Sequence, residues 1–150
     1  MSSPHRPLVL ITGAARRIGR AIALDLAGRG FDVAIHYRQS QHAAEAVVNE
    51  IRGLGARAAA LPGDLAKPED VERLVPACCE ALGAPTVLVN NASEFQPDSV
   101  VSTTLASWNA HLDINLRAPV FLAQQVVRHL PEGAEGNIIN IIDQRVWKLT

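Results

Sequence analysis

The sequence is poor in several kinds of residue, and each shortage excludes a class of protein. Charge of one sign is lacking, because 14 basic and 15 acidic residues are interspersed and leave a net charge of −1. Nothing therefore indicates a nucleic-acid groove or an anionic membrane surface as partner. Long hydrophobic runs are lacking too, since none reaches the roughly 18 residues of a membrane span. The short apolar run that follows residues 1–7 is too brief for a secretion signal, so we expect a cytoplasmic protein.

Cysteine is limited to two neighbours, Cys78 and Cys79. Adjacent cysteines rarely bridge each other, and no histidine stands near them. Neither a disulfide framework nor a metal site is predicted, and we interpret both as small apolar residues of a helix. Hydrophobic residues make up 48% of the 150 residues, which is enough for one globular domain with a core.

Short apolar runs alternate with amphipathic stretches along the chain. The runs predict strands at 8–11, 33–37, 58–61, 86–89 and 137–142. The spacing of apolar residues predicts helices at 17–29, 41–52, 68–82, around 105–112 and at 120–130. Ile18, Ile22 and Leu26 are expected to form the buried face of the first helix, and Pro76 is expected to kink the third. This alternation indicates a doubly wound α/β fold, with a parallel sheet of five strands covered on both faces.

A glycine-containing turn joins the first predicted strand to the first helix. Gly13 permits a tight turn, and Gly19 permits close packing of the helix on the strand. N–H groups at a helix start attract an anion, and two arginines add positive charge there. An ordinary capped turn is the alternative, but the position at the start of a βαβ unit predicts a pyrophosphate site. The cofactor-binding residues predicted here are Gly13, Arg16, Arg17, Ile18 and Gly19.

The end of the second strand indicates which dinucleotide is bound. Enzymes that use NAD usually place an acidic side chain there for the ribose 2′-hydroxyl. This strand instead runs into His36, Tyr37, Arg38 and Ser40, while Asp32 stands at its other end. Arg38 can pair with a 2′-phosphate and Ser40 can donate to it. We therefore predict NADP(H) as cofactor, with a solvated loop arginine as the alternative interpretation of Arg38.

Several short motifs, taken together and in order, resemble one family. They are Thr12-Gly13 with Arg17 and Gly19, then Asp64-Leu65, Asn90-Asn91-Ala92 and Asn115. This set resembles the short-chain dehydrogenases/reductases over nearly the whole chain and implies a Rossmann-like fold. One branch of that family is resembled more closely, the pteridine reductases and their bacterial dihydromonapterin or dihydrofolate reductase-like relatives. The residues that carry this second resemblance are Arg17, where most members have glycine, His36-Tyr37-Arg38, Asn91-Ala92-Ser93 and Asp143.

The resemblance implies roles at the cofactor. Asp64 would hold the adenine amino group, with the backbone of Leu65 beside it. Asn91 and Ala92 would line the cofactor ribose, and Ser93 would reach the phosphates or the substrate. From position alone, Asp64 also fits a loop carboxylate before a helix, and the asparagine-rich turn fits a set of side-chain-to-backbone bonds.

The resemblance also implies roles at the substrate. Asn115 would hold a proton-relaying water, although its position alone favours a helix-terminating asparagine. Phe95 would stack on a flat substrate, while an isolated phenylalanine is equally compatible with the core. Asp143 stands directly after the fifth strand, where most members have serine and pteridine reductases have aspartate. A carboxyl group there can relay the proton that a nitrogen needs after hydride transfer. Asn115 and Asp143 are thus the predicted catalytic residues, and Ser93, Phe95 and Asp143 the predicted substrate-binding residues.

One part of the family's active centre has no counterpart in the sequence. The resemblance implies a Tyr-x-x-x-Lys motif beyond the fifth strand, but the only tyrosine is Tyr37, and neither Lys67 nor Lys148 follows it at that spacing. We therefore expect residues 1–150 to be an NADP-binding Rossmann domain that is incomplete at its C-terminus and inactive alone.

Three functions remain open at this point. The favoured one is an NADPH-dependent reductase of a pterin- or folate-like small molecule in the complete protein. A carbonyl or 3-oxoacyl reductase of the same family is the second, and Asp143, which stands where most members have serine, is evidence against this function. A non-catalytic dinucleotide-binding module is the third, for which the missing tyrosine and lysine speak. The resemblance further implies a homo-oligomer, a tetramer in the complete protein, with the helix at 120–130 packing on another subunit.

Overall fold

The protein is described from a computed structural model, which covers residues 6–144. Most of the N-terminal segment considered above and Lys148 lie outside these described residues. The strands are β1 (Leu8–Ile11), β2 (Asp32–Tyr37), β3 (Ala58–Pro62), β4 (Val87–Asn90) and β5 (Asn137–Asn140). The helices are α1 (Arg17–Gly28), α2 (Gln41–Gly53), α3 (Pro68–Ala81), α4 (Leu105–Leu112) and α5 (Ala118–His129).

The five strands form one parallel sheet in the order β3-β2-β1-β4-β5. The chain starts in the middle, adds β2 and β3 on one side and then crosses back to add β4 and β5 on the other. The prediction of a doubly wound, Rossmann-like α/β fold is confirmed. Such a sheet places its ligand crevice at the carboxyl ends of β1 and β4, where the winding reverses.

Two apolar layers cover the two faces of the sheet. One layer joins Val9, Ile11, Val33 and Ile35 to helices α1 and α2, and the other joins Leu10 and Leu88 to helices α3 and α5. Their burial removes β1, β2 and β4 from water on both faces, as the continuous apolar runs predicted, whereas the edge strand β5 is exposed. The predicted face of α2 is confirmed, because its buried residues are Ala44, Val47, Val48 and Ile51.

The predicted face of α1 is only partly confirmed, because Ile22 and Leu26 pack against the core but Ile18 does not. The buried residues of this helix are Gly19, Ala23 and Ala27, whereas Ile18 is 59% exposed. A stripe of such small residues lets a helix lie close to the sheet, so the larger apolar side chains are displaced to its flanks. Ile22 and Leu26 accordingly pack at the edge of the core, only partly buried.

Two details of the remaining elements differ from expectation. Helix α3 runs from Pro68 to Ala81, one residue short of the predicted end, and the kink expected at Pro76 stays a prediction. Strand β5 ends at Asn140, two residues before the predicted end, and all four of its residues are exposed. It lies at the edge of the sheet, where a strand has a neighbour on one side only.

The connection between α4 and α5 is a π-helical turn, Asp113–Arg117. The Ala118 N–H donates to the carbonyl of Asp113, five residues earlier. Pro119 has no N–H, so it cannot donate to the carbonyl of Asn115 as an α-helical residue would. The predicted position of Asn115 at a helix end is wrong, because this residue lies within the widened turn. Such turns often mark functional sites.

Candidate cofactor site

The turn after β1 is built around two glycines, Gly13 and Gly19, whose surroundings leave little room for a side chain. Gly13 has a φ of +63°, and a Cβ there would lie 3.0 Å from the Cα of Ala92. A Cβ on Gly19 would lie 2.6 Å from the carbonyl oxygen of Gly13 and 2.6 Å from the side-chain nitrogen of Asn91. Helix α1 therefore begins against the turn itself, with its first N–H groups at the carboxyl edge of the sheet.

Thr12 and Asn91 join this turn to the end of β4. The Thr12 hydroxyl accepts hydrogen bonds from the backbone N–H groups of Asn91 and Ala92, both at 3.0 Å. The Asn91 amide donates to the carbonyls of Thr12 at 2.9 Å and Gly13 at 3.2 Å. These bonds hold together the loop after β1 and the loop after β4, which border the crevice, and so fix its width.

His36 supports the same turn from the side of β2. Its ring is 3% exposed; Nδ1 accepts from the Gly13 N–H at 3.1 Å, and Nε2 lies 2.9 Å from the Gly63 carbonyl, to which it donates. This pattern requires the neutral ring. Burial lowers the pKa of His36, outweighing the Gly63 carbonyl and the nearby Asp64 and Asp70 charges, which raise it. Both ring nitrogens of His36 are thus engaged within the protein and support the turn, while the contact of His36 with the cofactor stays a prediction.

The charged part of the turn faces solvent. Arg16, Arg17 and Ile18 are all exposed, and Arg17 is the only described non-glycine residue with a positive φ, at +53°. That left-handed conformation costs a residue with a side chain about 1–2 kcal/mol. Strain of this kind persists where a site needs the side chain, which agrees with the prediction that the Arg17 guanidinium serves a bound anion.

Substitution of Arg17 by glycine removes both the backbone strain and the positive charge, and two different measurements report on the two effects. We expect Arg17→Gly to raise the free energy of unfolding by about 1 kcal/mol, because the left-handed backbone no longer opposes a side chain. NADPH affinity should fall in the same variant, as measured by fluorescence titration beside urea unfolding. A loss of stability would show that the Arg17 side chain makes contacts worth more than the strain.

The residues after β2 stand at the same edge. Arg38 is exposed and Ser40 half-buried, and Ser40 precedes α2 without making a side-chain capping bond. Tyr37, the last residue of β2, packs at the border of the core. Asp32 stands at the opposite end of the strand, where its carboxylate is bound to Arg57. Residues 38–40, which follow β2 directly in the sequence, thus include no acidic residue.

The loop after β3 holds the predicted adenine-binding pair. The Asp64 carboxylate accepts from the Ala66 N–H at 3.1 Å, and the Asp64 N–H donates to Asp70 at 2.8 Å. Asp64 is therefore compatible both with a loop carboxylate before a helix and with a ligand of the adenine amino group. The local turn engages only one of its two carboxylate oxygens. The Leu65 side chain is buried, so only its backbone can face the edge.

Asn115 lies across the crevice and holds the loop after β4. Its side chain accepts from the Glu94 N–H at 2.9 Å and donates to the Glu94 carbonyl at 2.8 Å. These two bonds fix the main chain between exposed Ser93 and Phe95. Phe95 is 70% exposed, and its ring meets His111 edge-on with centroids 6.4 Å apart. The position of Phe95 agrees with a stacking surface for a ligand rather than with a core residue.

The model of one protein family, described as short chain dehydrogenase, matches residues 7–144. The chain belongs to the short-chain dehydrogenase family. A curated relative, the 3-oxoacyl-[acyl-carrier-protein] reductase FabG of Staphylococcus epidermidis, is 36% identical over 132 residues, which are 88% of this chain and 54% of the relative.

Two solved structures are similar to nearly the whole chain. The FolM alternative dihydrofolate reductase 1 of Brucella canis, complexed with NADP, superposes with a TM-score of 0.92 and 46% identity. A short-chain dehydrogenase from Burkholderia cenocepacia, also in complex with NADP, gives 0.89 and 40%. Each comparison covers 96% of this chain and 58% of the other. The chain thus spans little more than half the length of these relatives.

Asp143 lies beyond β5, at the carboxyl edge of the sheet, where α/β folds of this kind place their ligand crevice. It is exposed, and because the strand is shorter than predicted, it follows Asn140 by three residues rather than following β5 directly. Asn140 accepts a hydrogen bond from the side chain of Asn90 at 2.9 Å. This bond ties the last residues of β4 and β5 together, so the segment that leads to Asp143 starts beside the Asn91 turn.

Three residues of the site were missed by the sequence analysis as site residues: Thr12, Glu94 and His111. Thr12 was quoted only as part of a motif, although a hydroxyl next to Gly13 is a signal for a loop-fixing bond. His111 accepts from the Gln96 N–H at 2.9 Å and so holds the loop that carries Phe95. Glu94 carries no local signal, because its partners lie far away in sequence.

Other kinds of site are not found in residues 6–144. Histidine, cysteine, aspartate and glutamate side chains form no group of three or more that is suited to a metal. No helix there is both long and apolar enough to cross a bilayer. Cys78 and Cys79 are free thiols on α3, and burial raises the pKa of Cys78 to about 12, which makes it an unreactive core residue.

Proposed function

We propose that this chain is the NADP-binding part of an NADPH-dependent oxidoreductase. The observation that carries the proposal is the crevice between β1 and β4, which combines the Gly13–Gly19 turn with the exposed Arg38 that follows β2. The exposed cations and the start of α1 suit a pyrophosphate, and the Arg38 guanidinium suits a 2′-phosphate. NADP in two similar structures supports the same choice.

The residues present fit a bound dinucleotide, and each would have a separate task. The nicotinamide supplies the hydride when the cofactor is bound. Arg16, Arg17 and Ile18 would line the pyrophosphate. Arg38 and Ser40, with Tyr37 beside them, would hold the 2′-phosphate, and Asp64 with the Leu65 backbone the adenine. Asn91, Ala92 and Ser93 would border the riboses and keep water from the reacting face.

For the substrate we propose a pterin- or folate-like ring. Exposed Phe95 offers a flat surface for such a ring, and a carboxyl group at Asp143 suits the protonation of a nitrogen atom better than that of a ketone. Asn115 would hold a water molecule near its backbone carbonyl, which Pro119 leaves without an α-helical donor. The 46% identity to an alternative dihydrofolate reductase supports this class.

A second candidate is reduction of a 3-oxoacyl thioester, which the 36% identical FabG favours. The two are distinguished by following NADPH consumption by the complete protein with a dihydropterin or dihydrofolate and with a 3-oxoacyl thioester. We expect turnover with the pterin class. Turnover of the thioester alone would replace the substrate proposal, and no turnover with either would favour a non-catalytic binding module.

We propose, further, a cytoplasmic homo-oligomer. Helix α5 exposes Val120, Phe121 and Val127, an apolar surface that suits a second copy of the chain. A tetramer of the complete protein is the form implied by the family.

The cofactor proposal is tested by removing the predicted 2′-phosphate ligand. Arg38→Ala should weaken NADPH binding about tenfold, because it removes a charge-assisted hydrogen bond, and should change NADH binding less than about twofold. Affinities are measured by fluorescence titration. Arg29→Ala is the matched control, since Arg29 is an exposed arginine paired with Asp25 at the far end of α1. Equal losses for both nucleotides would remove the 2′-phosphate role from Arg38.

A further inference from the structure

Arg38 already has an anionic neighbour. Its guanidinium nitrogen Nη1 lies 3.7 Å from Oε2 of Glu94, with side-chain exposures of 49% and 24%. The sequence does not predict this ion pair, because Arg38 follows β2 and Glu94 follows β4, far apart in the chain. An ion pair at this distance and exposure is weak, so a stronger anion can displace it.

The strand order places this pair across the crevice. Since β1 lies between β2 and β4 in the sheet, a contact between residues that follow β2 and β4 spans the carboxyl end of β1. That end carries the Gly13–Gly19 turn, where a dinucleotide is expected to lie. The carboxylate of Glu94 therefore approaches Arg38 from the side of the crevice.

The main chain of Glu94 is held in place while its side chain is not. Asn115 binds both the N–H and the carbonyl of Glu94, and Asn115 itself lies in the π-helical turn. A rotation of the Glu94 side chain can thus open the pair without moving the loop. The same loop carries Phe95 and is bound through Gln96 to His111.

We propose that Glu94 is a specificity-determining residue that competes with the 2′-phosphate of NADP for Arg38. In the free protein, Glu94 neutralises the arginine and spans the crevice. A 2′-phosphate, which carries more charge than a carboxylate and can accept several hydrogen bonds, displaces it, whereas NADH has no group that does so. Glu94 thereby lowers NADPH affinity and makes release of NADP easier. This inference rests on the proposed cofactor.

The test compares two carboxamide variants of the full chain. Glu94→Gln keeps the shape of the side chain and removes its charge. We expect it to tighten NADPH binding about two- to fivefold, the range for loss of one exposed competing ion pair, and to leave NADH binding unchanged. Glu50→Gln is the matched control, because Glu50 forms an exposed ion pair with Arg20, at 2.6 Å, away from the crevice.

A second arm places Glu94→Gln in an Arg38→Ala background. The gain in NADPH affinity should disappear there, because the two residues act on each other. Adenosine 2′,5′-bisphosphate and adenosine 5′-diphosphate repeat the comparison without the nicotinamide.

The outcomes separate the two proposals. If Glu94→Gln binds NADPH no more tightly than the wild type does, while the wild type prefers NADPH to NADH, the competition by Glu94 is refuted. The cofactor proposal stands in that case. An equal gain for NADPH and NADH overturns it as well, because a general reduction of negative charge would then explain the effect. Wild-type binding without any NADPH preference overturns the cofactor proposal and this inference together.

Discussion

Gly19→Ala should destabilise the protein by about 3 kcal/mol, the upper end of the usual cost of overpacking. The added methyl group would lie 2.6 Å from the Gly13 carbonyl oxygen and 2.8 Å from the Cα of Ala14. Both are backbone atoms of the turn, so they yield only if α1 moves away from the sheet. The third close atom, the Asn91 side-chain nitrogen at 2.6 Å, would lose its bonds to Thr12 and Gly13. Urea unfolding measures the loss, and NADPH affinity should fall with it.

Helix α1 contains its own control. Gly28 lies in the same helix, and a Cβ there meets nothing within 4 Å. Gly28→Ala should leave stability unchanged or raise it by up to about 1 kcal/mol, because alanine favours the helix over glycine. If Gly19→Ala were as stable as Gly28→Ala, the close approach of α1 to the turn would be refuted, and with it the packing argument for the pyrophosphate site.

The sequence was sufficient for the parallel sheet because apolar runs and helical periods are local signals. Helix α2 illustrates this, since Ala44, Val47, Val48 and Ile51 differ sharply from their polar neighbours and are the buried residues. Helix α1 gives no such clear signal. Its buried side consists of Gly19, Ala23 and Ala27, which contribute little hydrophobicity, so the larger isoleucines dominated the pattern although they lie at the flank.

The candidate site divides in the same way. The Gly13–Gly19 turn and Arg38 could be predicted, because a turn after the first strand and an acid-free end of the second are visible in the sequence. The pairing of Arg38 with Glu94 could not, since it joins residues brought together only by the order of β2, β1 and β4. The π-helical turn at Asn115 also escaped prediction, although Pro119 was a signal that the α-helical bonds are interrupted there.

The second large effect is expected at His36, which joins β2 to the turn after β1 and to Gly63. His36→Ala should cost about 2–4 kcal/mol, because it leaves the part-buried Gly13 N–H and Gly63 carbonyl without their partner and opens a cavity at a buried position. Two milder variants each retain one of the two hydrogen bonds, to Gly13 or to Gly63. Asn at this position offers an acceptor near Nδ1, and Gln offers a donor near Nε2. We expect His36→Asn to retain more NADPH affinity than His36→Gln, because only the bond to Gly13 reaches the pyrophosphate turn.

His36 should also make stability depend on pH in a defined direction. Burial lowers the pKa of this histidine in the folded state, while in the unfolded chain the pKa is about 6.5. Above that pH both states are neutral, so His36 contributes its full share of stability. As the pH falls below it, the unfolded chain takes up a proton that the folded protein does not, and the free energy of unfolding decreases by at most about 1.4 kcal/mol per pH unit.

Urea unfolding between pH 8 and 5 measures this slope, which contains contributions from other histidines as well. His36→Asn removes only the titration of residue 36, so the difference between the two slopes isolates it. A wild-type slope equal to that of His36→Asn would mean that His36 takes up its proton as readily in the folded protein as in the unfolded chain. A protonated ring has no acceptor for the Gly13 N–H, so that result would also refute the bond on which the shape of the pyrophosphate turn depends.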